Sequence, residues 1–175
     1  VCPVTATDKR EEGGIVSQIP PRCIGCRYCM ASCPYHARYF NWYDPKWPGD
    51  LAQVLTPDVS TRMRGVVGKC SFCHHRFMKA QELAVAQGRD PMDLPDGAYI
   101  TACTEACPNG AITFGDVKNP KHKVHELVKS PYAFRLLERL GTDPQVYYIS
   151  KREWVRRAGD NYLENEKTGE ANKQG

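Results

Sequence analysis

The chain has 175 residues, 41% hydrophobic and 25% charged content and a formal net charge of +4, which allows one modest core or two small lobes. Charge or glycine breaks every apolar run well short of the roughly 20 residues needed to cross a bilayer, so no membrane span is read. Nine cysteines, an odd and crowded set, do not match a small disulfide-stapled secreted domain.

In chain order, Cys2-Pro3 has the form of the tail of a motif whose earlier cysteines are not in this sequence, and Val1 is not an initiator methionine. The expectation is that an N-terminal part is missing. Residues 4–10 and 15–19 are predicted as short strands around the turn at 11–14, where glycine permits positive φ. The hairpin leads into Cys23-Ile24-Gly25-Cys26-Arg27-Tyr28-Cys29-Met30-Ala31-Ser32-Cys33-Pro34, the C-x2-C-x2-C-x3-C-P spacing with which bacterial ferredoxins hold cubane iron-sulfur clusters. In that arrangement three thiolates serve one cluster and the fourth, before proline, serves another. The crossed rule therefore joins Cys2 to Cys23, Cys26 and Cys29 and sends Cys33 to a different cluster.

Beyond Cys33-Pro34, residues 37–42 read as a strand. Residues 44–67 are rich in proline and glycine and are predicted to be an irregular excursion. Trp42, Tyr43 and Trp47 anchor it, and packing over a cluster is preferred to partner contact for these rings. Cys70 and Cys73 form a C-x2-C; Cys103 and Cys107 form a C-x3-C followed by Pro108. The same rule places Cys70, Cys73 and Cys103 on a third cluster and Cys107 on a fourth. Of the 29 residues between Cys73 and Cys103, 75–87 are predicted as a helix stopped by Gly88. Residues 111–114 are predicted as a strand, and the recurrence of CPVTA, CPYHARYF and CPNGAITF marks an internal repeat.

The C-terminal third carries no cysteine. Ser130-Pro131, the spacing of Ala133, Leu136, Leu137 and Leu140, and Gly141 predict a helix over 130–141. A strand is predicted at 145–150 and a polar tail at 159–175. The fold class expected is α+β: duplicated ferredoxin-like cluster-binding units with irregular insertions and a helical C-terminal extension. The predicted divisions are a cluster-binding unit at 1–44, the excursion at 45–68, a second cluster-binding unit at 69–116 with an insert at 74–102, the extension at 117–158 and the tail at 159–175.

Competing chemistries can be weighed on the same residues. A four-thiolate zinc site also uses paired C-x2-C and competes for Cys70, Cys73, Cys103 and Cys107, but the close triple at Cys23, Cys26 and Cys29 is unnatural for tetrahedral zinc. His36, His74, His75, His122 and His125 are unnecessary as ligands beside nine cysteines. His74 and His75 read as outer or surface groups, while Arg27 and Lys69 are close enough in sequence to the cysteines to bias a reduction potential. Positive charge gathers after residue 116, as a solvated basic surface or as a face for an acidic partner or anionic lipid. No nucleic-acid-binding motif appears. No catalytic triad, phosphate loop or acid-base pair is found, so this chain is expected to be non-catalytic, with catalysis on a substrate occurring elsewhere.

The stretches CIGCRYCMASCPYHARYFNW, RGVVGKCSFC and ACTEACPNGAITFGD resemble the four-cluster iron-sulfur subunit of the molybdopterin oxidoreductase (DMSO reductase) family. SPYAFRLLERLGTDPQVYYI is similar to the C-terminal region of its quinone-linked members: the quinone reductase complex of sulfate reducers, alternative complex III and polysulfide reductase. The resemblance implies an electron relay between a molybdopterin-type or cytochrome subunit and a quinone-handling membrane subunit. It implies [4Fe-4S] clusters, up to four in the complete subunit, one of them ligated by Cys2, Cys23, Cys26 and Cys29. Cys33, the Cys70/Cys73/Cys103 set and Cys107 would serve the others. Nitrate reductase relatives carry tryptophan at the second cysteine and hold a [3Fe-4S] cluster; Cys26 is cysteine. The resemblance also implies the periplasmic side of the inner membrane, with the cytoplasmic side second. A freestanding polyferredoxin and a zinc-bound scaffold remain as alternative readings.

Overall fold

Short elements held by backbone turns make up this chain. The computed structural model describes residues 1–9 and 14–160, and it divides into two compact units, residues 1–112 and residues from 113 onward. The predicted tail at 159–175 lies almost wholly outside the described residues.

In the first unit, β1 (Thr7–Lys9) pairs antiparallel with β2 (Val16–Gln18), Thr7 opposite Gln18 and Lys9 opposite Val16. These are the two strands expected around the 11–14 turn, of which Gly14 is described and has φ +64°. The buried Gln18 carries its side-chain oxygen to Arg38 Nη1 at 2.7 Å, and Arg38 also donates to Thr7 Oγ1 at 3.1 Å. One guanidinium thus clasps both strands.

Helix α1 (Tyr28–Ala31) is a single turn inside the cysteine motif. β3 (Tyr39–Phe40) pairs antiparallel with β4 (Val67–Gly68), so the residues between them form one long excursion. Within it, one 3-10 helix covers Gly49–Val54, in keeping with the irregularity its prolines and glycines predict. Helix α2 (His74–Ala86) follows the second cysteine pair and ends where expected. Gly88 takes φ +68°, its N–H bonds Val85 O at 3.0 Å, and Arg89 N–H bonds Ala84 O at 2.8 Å. That paired closure is the Schellman stop which glycine favours by lacking a Cβ. Helix α3 (Ala102–Glu105) begins at Thr101, a buried N-cap whose hydroxyl accepts the Thr104 N–H at 3.4 Å.

The first unit buries little large apolar surface. Its buried apolar residues among those described are Ala6, Val66, Val67, Ala84 and Leu94, and Val67 is the largest side chain fully enclosed. A core so thin leaves structural work for a cofactor.

In the second unit, α4 (Lys123–Val128) precedes a pairing of β5 (Ala133–Phe134) with β6 (Tyr148–Ile149), and α5 (Glu153–Asp160) follows. The helix predicted over 130–141 is not formed. Phe134 instead pairs with Tyr148, their rings 5.7 Å apart, and also covers Gly159, where an added Cβ would lie 2.5 Å from the ring. Leu137 adopts φ +53° and gives its N–H to Gly159 O at 2.9 Å, leaving only a 3-10 turn at Glu138–Leu140. Pairing with a distant strand has overridden local helical spacing. The extension is therefore mixed, two helices around a strand pair, and not simply helical. Of the strand predicted at 145–150, only Tyr148–Ile149 forms, as β6.

The strand predicted at 111–114 is also absent. Ala111 spends its N–H on the sulfur of Cys107, and none of the described strands lies alongside to complete a ladder.

Candidate functional site

Three Cys-Pro turns share one backbone signature. In Cys2-Pro3-Val4-Thr5-Ala6, Cys33-Pro34-Tyr35-His36-Ala37 and Cys107-Pro108-Asn109-Gly110-Ala111, the fourth residue is left-handed: Thr5 at φ +48°, His36 at +49° and Gly110 at +58°. That reversal folds the following amide back toward the cysteine. Ala6 N–H meets Cys2 Sγ at 3.2 Å and Ala111 N–H meets Cys107 Sγ at 3.3 Å. Converging amides of this kind form an anion-binding nest. They favour the thiolate: the Cys2 thiol is held below its ordinary pKa by the N–H of Val4 first and those of Thr7 and Ala6, outweighing burial. Cys107 is lowered in the same way by Ala111 first, with Ile112, Asn109 and Gly110 adding to it.

The main motif curls through Gly25 at φ +71° and Arg27 at φ +61°. A Cβ on Gly25 would sit 2.2 Å from the carbonyl oxygen of Gly65 and 3.3 Å from Phe40 Cε2. Glycine is therefore required both for the reversal and for the close approach of the excursion. This curl brings Cys23, Cys26 and Cys29 to a recess that Cys2 also lines; Gln18, Arg27 and Val67 are among the residues of its wall. The recess holds about 270 Å³ free of protein atoms, part of it open to solvent. From β4, Val67 N–H donates to Cys23 Sγ at 3.4 Å. Cys33 does not line the recess, as its turn sends the chain away after α1.

The donor set suits an iron-sulfur cubane. Four soft thiolates surround a space instead of meeting at a point, and among the described residues no three or more His, Cys, Asp or Glu side chains converge tightly enough to hold one metal ion. A zinc ion needs all four sulfurs about 2.3 Å from a single centre, whereas a cubane bonds each thiolate to a different iron. The N–H groups on Cys2 and Cys23 would donate to cluster sulfur ligands and help set the reduction potential.

A second group forms around Tyr99. Its phenol is pushed well above the ordinary tyrosine range by burial first, then by the nearby charges of Cys73, Cys70 and Cys103. Phe72 and Cys73 are both left-handed at φ +52°, which turns the C-x2-C loop into α2. Ala102 N–H donates to Cys73 Sγ at 3.3 Å across the 74–102 insert, and Thr101 Oγ1 lies 3.1 Å from Cys103 Sγ. Arg76 of α2 reaches Glu105 of α3 at 2.7 Å and the Ile100 carbonyl at 3.4 Å. The long insert thus returns the segment carrying Cys103 to Cys73. Cys107 sits in its own amide nest.

The expectation that Trp42, Tyr43 and Trp47 cover a cluster does not hold as stated. Tyr43 is 84% exposed and Trp42 57% exposed. Trp42 instead stands edge-on to Phe40 at 4.6 Å, with the Arg27 guanidinium 5.0 Å from its ring centre and 5.4 Å from that of Phe40. The excursion's sharp turns leave these rings at the surface. Residues that sequence reasoning missed are Val67, Gln18, Tyr99 and Thr101; the first three act across long separations, for which spacing carries no signal, whereas Thr101 acts locally as the N-cap of α3 and through its hydroxyl beside Cys103, a signal a Thr ahead of a helix could have given.

Residues 17–39 match the 4Fe-4S binding domain family, the segment that carries Cys23, Cys26, Cys29 and Cys33. Over 95% of its length the chain is 76% identical to the menaquinone reductase iron-sulfur cluster-binding subunit of Nitratidesulfovibrio vulgaris, covering 66% of that protein. This chain is a homologue of such iron-sulfur subunits. It is also 41% identical to the Hdr-like menaquinol oxidoreductase iron-sulfur subunit 1 of Archaeoglobus fulgidus, over 85% of this chain and 50% of that protein. With the B subunit of polysulfide reductase from Wolinella succinogenes it shares 34% identity, over 87% of this chain and 60% of that protein. It spans between half and about two thirds of these relatives' length. Among the described residues, no helix is long and apolar enough to cross a membrane.

Proposed function

We propose that this chain relays single electrons through [4Fe-4S] clusters within a quinone-linked reductase complex. The observation that carries the reading is the ring of Cys2, Cys23, Cys26 and Cys29 around one recess, backed by the Val67 amide on Cys23. When bound there, a cubane takes up and gives up one electron at a time with little change of shape. The chain's own part is to present thiolates, stabilise them with amides at Cys2 and Cys107, and hold the loop through Gly25. In this reading Cys70, Cys73 and Cys103 ligate a second cluster, and Cys33 and Cys107 each give one ligand to further clusters.

Our reading of the architecture is a duplicated ferredoxin-like pair, 1–44 and 69–116, separated by the excursion and followed by the 117–158 extension. Support comes from the three Cys-Pro turns with a common left-handed fourth residue. Partners in this reading are a molybdopterin-type or cytochrome subunit on one side and a quinone-binding membrane subunit on the other, on the periplasmic side of the inner membrane. The names of two relatives, a menaquinone reductase subunit and a menaquinol oxidoreductase subunit, support the quinone-linked assignment.

Purification in mild detergent from native membranes tests it. The expected result is co-purification with a quinone-binding membrane protein and bleaching of the visible cluster absorption by a reduced quinol analogue or by reductant. A brown protein that purifies alone and exchanges electrons only with soluble carriers would overturn the complex-bound role.

A further inference from the structure

Between the two thiolate groups the chain runs Val67-Gly68-Lys69-Cys70. Val67 touches Cys23 Sγ through its amide and lines the first recess, while Cys70 belongs to the group around Tyr99. These few residues span at most about 11 Å even when fully extended, so the two thiolate groups are close neighbours along the backbone. Lys69 occupies the middle of this bridge. Its half-buried ammonium donates to Cys70 O at 2.6 Å and to Val16 O, on the strand that delivers Gln18 to the recess wall.

Among the described residues no carboxylate pairs with Lys69; its ammonium lies 5.8 Å from the centre of the Phe72 ring, and the charges acting on it are the Cys70 thiol and a second cation, Arg38, itself fixed on Gln18 and Thr7. Two cations drawn together at a partly dry site are unfavourable without an anion to face. Cubane clusters on four thiolates carry net negative charge, and charge close to a cluster is one of the terms that set its potential.

We infer that Lys69 is the shared electrostatic anchor of the two neighbouring clusters, raising the reduction potentials of both and holding the strand edge that joins them. The inference rests on the cluster-binding reading above. Lys69 is a positioning residue in this scheme: it touches the backbone beside the ligands and acts on the clusters through space.

The test uses the full-length, cluster-loaded protein as wild type, Lys69→Met and Lys69→Arg, with midpoints followed by paramagnetic resonance during a redox titration. In Lys69→Met both clusters should shift to more negative midpoints, the one held by Cys70 further, and raised salt should erase little of the shift because the site is half-buried. Lys69→Arg should restore most of it. Repeating the titration in a Cys26→Ser background isolates the cluster on the Cys70 side. A fully iron-loaded Lys69→Met protein with unmoved midpoints, or equal shifts in the Met and Arg variants, would overturn the inference. Absence of cubane signals from the wild type would instead overturn the functional reading on which it stands.

Discussion

The two thiolate groups of the first unit are assembled in opposite ways. The first is local: Cys23, Cys26 and Cys29 lie on one curled loop, and only Cys2 and the Val67 amide come from elsewhere. The second is built by return, because Cys103 reaches Cys73 only after a helix and a long loop, fastened by the Ala102 amide, the Thr101 cap and the Arg76–Glu105 pair. A loop-encoded site depends on backbone conformations that few residues can adopt. A returned site depends on several separate fastenings, each weaker and more replaceable.

That contrast orders the expected effects of mutation. Cys26→Ser should cause the greatest change, removing the cluster of the first recess while leaving the Cys70 side loaded, as read by iron content and paramagnetic resonance. Loss of both clusters together would show that the two groups do not assemble separately. In the native complex the same variant should lose most quinone-linked electron flow.

Gly25→Ala attacks the loop without touching a ligand. The added Cβ meets the Gly65 carbonyl at 2.2 Å in a left-handed residue, a conflict worth roughly 1–3 kcal/mol of strain. Lower cluster occupancy of the first recess and a lower unfolding temperature are expected, with the second group spared. Normal occupancy in this variant would mean that the curl tolerates a side chain and the contrast is overstated.

Thr101→Val should act on the second group more gently. It removes an N-cap worth about 1 kcal/mol and a hydroxyl 3.1 Å from Cys103 Sγ. A small loss of thermal stability and a more negative midpoint for that cluster are expected, since hydrogen bonds to sulfur are among the terms that set the potential. The Arg76–Glu105 pair is part-exposed, so Arg76→Ala should lower the unfolding temperature only slightly and leave both clusters in place by absorption. A large loss of the second cluster in that variant would make this ion pair the principal fastening.

Sequence spacing made the first group readable almost completely. The C-x2-C-x2-C-x3-C-P run and the lone Cys2-Pro3 are enough to expect the set that the recess brings together. Hairpin β1–β2 and helix α2 were legible for local reasons, glycine near the turn and a stop at Gly88. The misreadings have a common cause. Residues 130–141 have helical spacing, but Phe134 is claimed by Tyr148 and Gly159, contacts that local periodicity cannot anticipate. Residues 111–114 have strand composition, but the Ala111 amide is claimed by Cys107. Likewise Val67 is 44 residues from the sulfur it contacts, and Lys69 owes its position to Val16 O across another hairpin. The basic residues after 116 are partly absorbed within the second unit: Arg135 binds Glu138 and Asp143, Arg156 binds Ser150 O, and Arg157 pairs with Glu153.

The first recess, a ring of four thiolates supplied by the local loop and Cys2, is where the account is most exposed to a single measurement. Iron and acid-labile sulfide should be determined per chain for wild type and Cys26→Ser, with paramagnetic resonance of the reduced proteins alongside. The account predicts cubane signals in the wild type and the loss of one cluster's iron, sulfide and spectrum in the variant. A folded, active wild type without iron, or a variant whose cluster content is unchanged, would contradict it.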